Sequence, residues 1–276
     1  MKQVLVILFF VAVVLVIGCD GASLIRAPLI LSVAMDTASV TVTWAYDPAI
    51  AEHEDFQGYN VYVYTDSTAL LVVNGENLNR HNATVITDTF YTARNLSKDT
   101  VYYFQARTLN IEDQVGTFNP DTRFVTASPR PEFTVTLKFE IDPQNLDEVD
   151  IALRFADAAL LGEIGGQIDS TADVFFYAYE DTMPQVASPD FRIDPIQINP
   201  KQTRMENIGQ MGLDDVTEAP EIIDKQNVHF IEGDVIVLKT EEGNYVKMHI
   251  DEMFMAPEWI VTVTYAYQNI VDYPYF

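Results

Sequence analysis

Cysteine is almost absent from this chain of 276 residues, which contains a single one, Cys19. A lone cysteine cannot form an intramolecular disulfide, so the fold has to be stabilised by burial of apolar side chains. The hydrophobic content of 48% is typical of a folded globular protein and excludes a disordered one. The chain is also long enough for two ordinary domains, each with its own core.

Basic residues are scarce as well. Sixteen lysines and arginines stand against 41 aspartates and glutamates, which gives a formal net charge of −25. A surface this acidic repels the phosphates of nucleic acids and of anionic lipids, so we exclude both as ligands. The same charge is typical of a well-solvated surface that resists aggregation, and it would attract cations.

Motifs of catalysis are missing too. The sequence has no Gly-x-Ser-x-Gly motif, and its one cysteine lies in the N-terminal region, so no nucleophile stands out. The glycine-containing stretch 162–166 lacks the Lys-Ser/Thr pair that a phosphate-binding loop needs. We therefore predict that the protein is not an enzyme, with hydrolysis by two converging carboxylates as the weakest alternative.

The sequence has one long apolar run, Val4–Ile17, which follows a short basic segment. The run is shorter than the roughly 20 residues of a membrane-spanning helix and fits a signal peptide. The tetrad Val16–Cys19 resembles the lipobox of bacterial lipoproteins, because an aliphatic residue lies three positions before the cysteine and glycine lies directly before it. An uncleaved anchor helix, or an ordinary secretory signal with a coincidental cysteine, are the alternatives.

The lipobox resemblance implies that residues 1–18 are a cleaved lipoprotein signal peptide and that Cys19 carries fatty acyl chains such as palmitate. Two or three chains on one residue would anchor the protein stably to a membrane. Asp20 follows the lipidated position, and in enteric-type bacteria an aspartate there favours the inner membrane, facing the periplasm. In another lineage the protein would lie on the cell surface. Residues 19–26 are interpreted as a brief tether.

Period-2 alternation of apolar and polar residues dominates 27–129. Between Val40 and Trp44, for example, every second residue is apolar and the residues between are threonines. This pattern predicts half-buried antiparallel strands. Similar segments, separated by turn-forming clusters, are 29–35, 58–64, 100–110 and 123–127. Seven or so short strands in about 100 residues indicate a β-sandwich.

Several residues of 27–129 resemble a fibronectin type III domain. Trp44 stands where the family has the core tryptophan of its second strand, and Gly58–Tyr59 where it has the pair that opens the third strand. The resemblance covers nearly the whole segment and implies a sandwich of two antiparallel sheets.

The most specific part of this resemblance is the spacing of Leu96, Thr100 and Tyr102. It matches the tyrosine corner of the family, in which leucine and threonine precede a tyrosine by six and two positions. Lys98 departs from the pattern, since proline is usual there. In a tyrosine corner the hydroxyl bonds back to the chain just upstream and fixes the crossover between the sheets.

Two prolines within 128–131 predict an extended connector and a domain boundary. Beyond it, strict alternation over 133–141 predicts a strand with one buried side. Further predicted strands are 151–155, 173–179, the hairpin 235–250, and 259–267. Residues 180–227 have few periodic signals, and we interpret them as long loops with room for one short helix. A second β-rich domain is therefore predicted over 131–276, and the whole chain is predicted to be all-β.

The hairpin 233–248 is similar to a pattern in HmuY-like bacterial lipoproteins, in which a strand ends in a Lys-Thr pair and is followed by a glycine turn and Tyr-x-Lys. The run 262–268 also suits the closing strand of that family. Those proteins bind haem through two histidines, so the resemblance implies haem capture as an alternative function. His229 and His249, near predicted strand ends, are the candidate ligands. No surrounding motif aligns them with the family's histidines.

The remaining candidate binding sites are two acidic groups and the aromatic residues at the end of the sequence. Asp142–Asp150 and Asp214–Glu221 are rich in carboxylates, but neither has the alternate spacing of a calcium loop, so no metal site is predicted. For Tyr273–Phe276 we predict packing on the protein's own second domain, with recognition of a carbohydrate or a protein as the alternative.

These features predict a membrane-anchored lipoprotein of the cell envelope with a non-catalytic binding or structural role. Its fibronectin-like part would act as a spacer or contact surface, and a protein, a glycan or another ligand would be the partner. A haem-capture lipoprotein is the alternative, and an envelope hydrolase is the weaker one. No cofactor is predicted outside the haem alternative.

Overall fold

The structure is a computed structural model and describes residues 23–73, 75–139, 150–164, 167–178, 183–191, 201–255 and 257–276. The predicted signal peptide 1–18, Cys19 and nearly all of the first acidic group lie outside the described residues. The described secondary structure is almost entirely β, which confirms the predicted all-β fold. Within the described ranges, no helix combines the length and the apolar character required to cross a bilayer.

In the described part of the chain, six strands precede residue 130: β1 (Ile30–Met35), β2 (Ser39–Trp44), β3 (Phe56–Tyr64), β4 (Phe90–Arg94), β5 (Tyr102–Asn110) and β6 (Val125–Ala127). A short helix, α1 (Pro48–Ala51), follows β2, and 3₁₀ turns cover Ser67–Leu71 and Gly75–Asn77. The strands form two three-stranded sheets, in the orders β1-β2-β4 and β3-β5-β6.

Trp44 and Tyr59 explain part of this arrangement. Both are almost completely buried, and their rings meet edge to face with centroids 5.2 Å apart. Tyr59 also pairs with Ile86 as an isolated antiparallel bridge. A side chain at Gly58 would lie 2.3 Å from Val85 Cγ1 and 2.6 Å from Ile86 O. Only glycine allows this close approach, which gives the Gly58–Tyr59 pair its physical reason.

The strands after residue 130 in the described ranges are β7 (Glu132–Phe139), β8 (Asp150–Arg154), β9 (Ala159–Ile164), β10 (Gln167–Ile168), β11 (Val174–Tyr177), β12 (Gln185–Ala187), β13 (Arg204–Gln210), β14 (Asn227–His229), β15 (Asp234–Lys239), β16 (Tyr245–Met255) and β17 (Trp259–Tyr267). They form a five-stranded sheet, β13-β15-β16-β17-β7, and a six-stranded sheet, β10-β9-β8-β11-β12-β14. A 3₁₀ turn covers Leu213–Asp215.

One hydrophobic core joins these two sheets. It takes Leu137, Leu238 and Val263 from the five-stranded sheet and Phe176 and Val186 from the six-stranded sheet, all almost completely buried. Apolar residues alternate along the strands, as in β7, because successive side chains of a strand point to opposite faces. The result is a two-sheet sandwich with this core between the sheets.

The prediction of long loops over 180–227 was wrong at Gln185–Ala187 and Arg204–Gln210, which form strands. Both β12 and β13 lie there, and each pairs within a sheet. β13 escaped prediction because its register shifts between Asn207 and Gly209, which breaks the alternation of apolar residues. Gly209 has φ +91° and its N–H donates to Asn207 Oδ1 at 2.9 Å, the arrangement of a glycine bulge.

The chain forms two compact units. Unit 1 takes in the described residues up to Leu31, Thr43–Tyr91 and Tyr103–Val125, and unit 2 takes in Ser32–Val42, Thr92–Tyr102 and Thr126–Phe276. The predicted connector 128–131 lies inside unit 2 and is buried. It is held there because Arg130 N donates to Asp36 O at 3.0 Å, and the Arg130 guanidinium bonds to Glu132 and Asp214.

Candidate functional site

A buried arginine on β5 organises one long loop of unit 1. Arg107 is 0% exposed, and its guanidinium donates to Val73 O at 3.1 Å, Leu70 O at 3.0 Å and Val72 O at 2.8 Å. Its Nε donates to Gln105 Oε1 at 2.6 Å. Within the described residues no carboxylate pairs with Arg107, so carbonyl and amide oxygens alone stabilise its charge.

Two aromatic rings flank the same guanidinium. The Arg107 carbon Cζ lies 5.9 Å from the ring centroid of Tyr62 and 5.6 Å from that of Phe118. Burial lowers the pKa of Arg107, and Tyr62 acts in the opposite direction. Burial also raises the pKa of Tyr62. An arginine has five donors in a rigid plane, so it can bind several carbonyls at once where a lysine could not.

The loop that Arg107 holds connects β3 to residue 80, and we call residues 65–80 the Arg107 loop. Its first turn is capped by Asp66, which accepts the backbone N–H and the hydroxyl of Thr68, each at 2.9 Å. These bonds lower the pKa of Asp66. Further along, Asn79 N donates to Tyr64 Oη at 2.8 Å. The loop is therefore bonded at its beginning, middle and end.

Gly75 brings the Arg107 loop close to the sheet. A side chain there would lie 2.9 Å from Arg107 Nη1 and 2.7 Å from Val115 Cγ1. Beside it lies a cavity of about 350 Å³, whose lining includes Tyr62, Gly75, Arg80 and Val115. The cavity is of ligand size, but its lining is mixed, with no convergent set of ionisable groups among the described residues.

The Arg107 loop exposes three consecutive apolar residues. Leu71 is 39% exposed, Val72 44% and Val73 66%, whereas the preceding Leu70 is completely buried. The carbonyl groups of Leu70, Val72 and Val73 accept hydrogen bonds from Arg107, while the side chains of Leu71, Val72 and Val73 remain in solvent. A buried guanidinium thus bonds to the backbone of a segment whose apolar side chains are exposed.

The two candidate haem ligands are not brought together. His229 lies on β14 between Val228 and Phe230, which both belong to the core of unit 2. His249 lies on β16 next to Met248, another core residue. Because neighbouring side chains in a strand point to opposite faces, both histidines point away from the core, from opposite sheets.

The side chain of His249 contacts a carboxylate. Its Nδ1 lies 2.7 Å from Asp251 Oδ1, and Asp251 Oδ2 accepts the Thr264 hydroxyl at 2.7 Å. The remaining histidines belong to unit 1, where Asp55 N donates to His53 Nδ1 at 3.2 Å and His81 Nδ1 lies 2.9 Å from Tyr91 Oη. Burial lowers the pKa of His81.

The acidic groups show no metal centre within the described residues, which contain no cluster of three or more His, Cys, Asp or Glu side chains suited to a metal ion. The first group, 142–150, lies outside the description except for the backbone of Asp150. In the second group, Asp215 Oδ2 accepts Gly212 N at 2.9 Å and Asp214 bonds to Arg130. These carboxylates therefore stabilise a turn and a buried arginine.

An ion-pair cluster in unit 2, in which Glu242 is exposed and Lys201 and Asp173 are mostly buried, was not predicted from the sequence. Lys201 Nζ lies 2.7 Å from Asp173 Oδ1 and 3.0 Å from Glu242 Oε1. Asp173 Oδ2 also accepts Phe155 N at 2.7 Å. Burial raises the pKa of Asp173, although Lys201 acts against it. Burial acts to lower the pKa of Lys201, but its bonds to the two carboxylates outweigh this and raise it. Both carboxylates bind the ammonium group of Lys201, and we interpret this network as structural.

Comparison with known proteins gives little further information. No model of a protein family matches the chain, and no curated protein matches it. Among solved structures it is similar to a cycloalternan-degrading enzyme from Trueperella pyogenes, at 9% identity and a TM-score of 0.24, covering 83% of this chain and 28% of that one. The complex of that enzyme with cycloalternan matches at 10% identity and a TM-score of 0.25, covering 86% and 33%.

The chain thus spans about a third or less of the length of that enzyme. A likeness at this level supports no conclusion about the fold or the activity.

Proposed function

We propose that this protein is a lipid-anchored lipoprotein of the cell envelope with a non-catalytic binding role, and that the Arg107 loop is its contact surface. The anchor follows from the lipobox-like Val16–Cys19 and from the apolar run before it. The partner is a protein, because the exposed side chains of the loop are aliphatic and offer few hydrogen bonds to a glycan.

The observation that carries the binding role is the set of hydrogen bonds from Arg107 to the carbonyls of Leu70, Val72 and Val73, which hold the backbone of this exposed apolar segment. A flexible loop loses conformational freedom when it binds, and this loss weakens the complex. A loop already held by buried hydrogen bonds avoids most of that loss. Burying three aliphatic side chains would then contribute directly to affinity, at about 25 cal/mol per Å² of apolar area.

The fibronectin type III assignment of 27–129 is part of the proposal, and three observations support it. The strands occur in two three-stranded sheets, and the rings of Trp44 and Tyr59 meet in the buried interior. The Tyr102 hydroxyl accepts a hydrogen bond from Ser97 N at 2.9 Å, as a tyrosine corner requires. Sandwiches of this kind serve as rigid scaffolds that present loops.

Lipid anchoring is tested by Cys19→Ser. Wild-type protein expressed in a bacterial host should incorporate radioactive or alkyne-tagged palmitate and be cleaved before position 19. The variant should incorporate no label and keep its leader. Equal labelling of both proteins, or cleavage of the variant at the same site, would overturn the anchor.

The contact surface is tested by photo-crosslinking in living cells of the source bacterium, with a crosslinking amino acid placed at residue 72. One protein partner should be recovered by mass spectrometry, and Val73→Ser should lower its yield at least about tenfold, in line with a lost buried aliphatic contact. Ile222→Ser is the matched control, since Ile222 is 67% exposed in unit 2.

Equal yields from Val73→Ser and wild type would contradict the assignment of the surface. Turnover of a glycan or an ester by the purified protein would contradict the non-catalytic role.

A further inference from the structure

The chain enters unit 1 at one end of its strands. Ser23 N donates to Asp55 Oδ2 at 2.8 Å, and Ile111 N donates to Asp55 O at 2.9 Å. Ala45 N donates to Leu29 O at 2.8 Å. These bonds bring together three segments, which we call the entry end: residues 23–29, 45–55 and 111–119.

The entering segment is bound along its length. Ile25 and Ala27 are 7% and 1% exposed, and Ala27 N donates to Thr117 O at 3.2 Å. Ile25 O accepts the Thr108 hydroxyl, and a side chain at Gly116 would lie 2.0 Å from the same Ile25 oxygen. From Ser23 onward, the segment predicted to be part of a tether is bonded to unit 1.

This attachment limits the distance from unit 1 to the membrane. Three residues lie between Cys19 and Ser23, and the extended chain from one to the other spans at most about 14 Å. If Cys19 carries the acyl chains, Ser23, where the entry end begins, lies within that distance of the lipid surface. This step rests on the proposed lipid anchor.

The entry end exposes apolar side chains from all three of its segments. Leu24 is 60% exposed, Leu29 40%, Tyr46 61% and Ile111 59%. Scattered exposed apolar residues are ordinary on a protein surface. These four share the end at which the lipid is attached, where a bilayer is the nearest apolar phase.

Groups suited to lipid headgroups lie beside them. The Arg26 side chain is 61% exposed and makes a 3.4 Å contact with Asp121, which is itself 71% exposed. A cavity of about 330 Å³ opens between Arg26, Leu29, Tyr46 and Ile50. Arginine and tyrosine side chains place their apolar parts in lipid and their polar ends at the headgroups.

We propose that the entry end rests on the surface of the lipid bilayer, with Leu24, Tyr46 and Ile111 in the headgroup region and Arg26 at the lipid phosphates. The acidic residues Asp47 and Glu112 at the same end make the contact selective for membranes of low negative charge. Unit 1 is then held in one orientation on the membrane.

The test uses the lipidated protein in vesicles that contain a lipid-borne quencher at headgroup depth. Acylation blocks the thiol of Cys19, so a cysteine introduced by Ile111→Cys is the one site for an environment-sensitive fluorophore. In phosphatidylcholine vesicles we expect quenching of about twofold or more, because the probe would lie in the outer several ångströms of the bilayer. Thr65→Cys is the control: Thr65 is exposed and directly follows β3, whose other end at Phe56 lies beside the entry end, so a probe there should be quenched little.

Adding phosphatidylglycerol should reduce quenching at position 111 at low salt. Vesicle flotation distinguishes a failure of the membrane contact from a failure of the lipid anchor. Protein that floats but shows no quenching at position 111, or equal quenching at 111 and 65, overturns the contact while leaving the anchor intact. Protein that does not float overturns the anchor itself.

Discussion

The ammonium group of Lys247 lies 5.5 Å from the ring centroid of Phe276 and donates to Leu213 O at 2.7 Å and Val216 O at 2.9 Å. Lys247 is 1% exposed, and Phe276 is 2% exposed in a cluster with Val235 and Val237. The predicted packing of the last residues on the second domain is thereby confirmed. Lys247 joins three segments that are distant in sequence.

The titration of Lys247 makes the stability of the protein depend on pH, and stability rises as the pH rises. Burial, with a contribution from Arg130, lowers the pKa of Lys247 from 10.5 to about 8. Between those values the unfolded chain binds more protons than the folded one, so stability rises with pH through this window. The shift corresponds to about 3 kcal/mol between the two protonation states.

We therefore expect urea unfolding from pH 7.5 to 10.5 to show wild type gaining stability relative to Lys247→Met. Lys239→Met is the control. Asp272 raises the pKa of Lys239 above 10.5, so the titration of Lys239 lowers the stability as the pH rises past that value, the opposite of the Lys247 effect. Parallel pH profiles for wild type and Lys247→Met would contradict the assignment.

The sequence predicts those features of the fold that depend on residues close together in the chain, and misses those that depend on distant segments. Trp44 and Gly58 act through their own strands and immediate neighbours, so alternation and spacing identified them. Arg107 could not be identified, because alternation of apolar residues along β5 leaves it on the other face, where solvent was the natural expectation. Arg107 is buried by a loop more than 30 residues earlier in the chain. The only sequence signals of that loop were weak: the spacing of Asp66 and Thr68, and the turn-favouring pair Asn74–Gly75.

Arg107→Met tests the organisation of the Arg107 loop. The substitution removes the donor from the carbonyls of Val72 and Val73 and one of the two donors of Leu70 O, and we expect a loss of about 3 kcal/mol or more in the free energy of unfolding. Amide exchange over 67–78 should accelerate more than exchange over β3. Arg26→Met removes an exposed arginine and should change stability by less than about 0.5 kcal/mol. Equal effects of the two substitutions would show that the carbonyl bonds contribute nothing.

Tyr102→Phe tests the proposed tyrosine corner. It removes the acceptor of Ser97 N and keeps the ring, so we expect a loss of about 1 to 2 kcal/mol in the free energy of unfolding. Tyr46→Phe is the control, because Tyr46 is 61% exposed. A Tyr102→Phe variant as stable as wild type would remove the main support for the fibronectin type III assignment.

Haem binding through His229 and His249 is expected to fail, because one iron cannot reach two side chains that point outward from opposite sheets of a sandwich whose core is about 10 Å thick. Titration of the lipidated protein in detergent with micromolar haem should give no six-coordinate bis-histidine Soret spectrum, and His229→Ala and His249→Ala should leave the titration unchanged. Detergent micelles without protein correct for partition of haem into the detergent. A saturable Soret shift that either substitution abolishes would instead establish haem capture, and with it replace the protein-binding role proposed for the Arg107 loop.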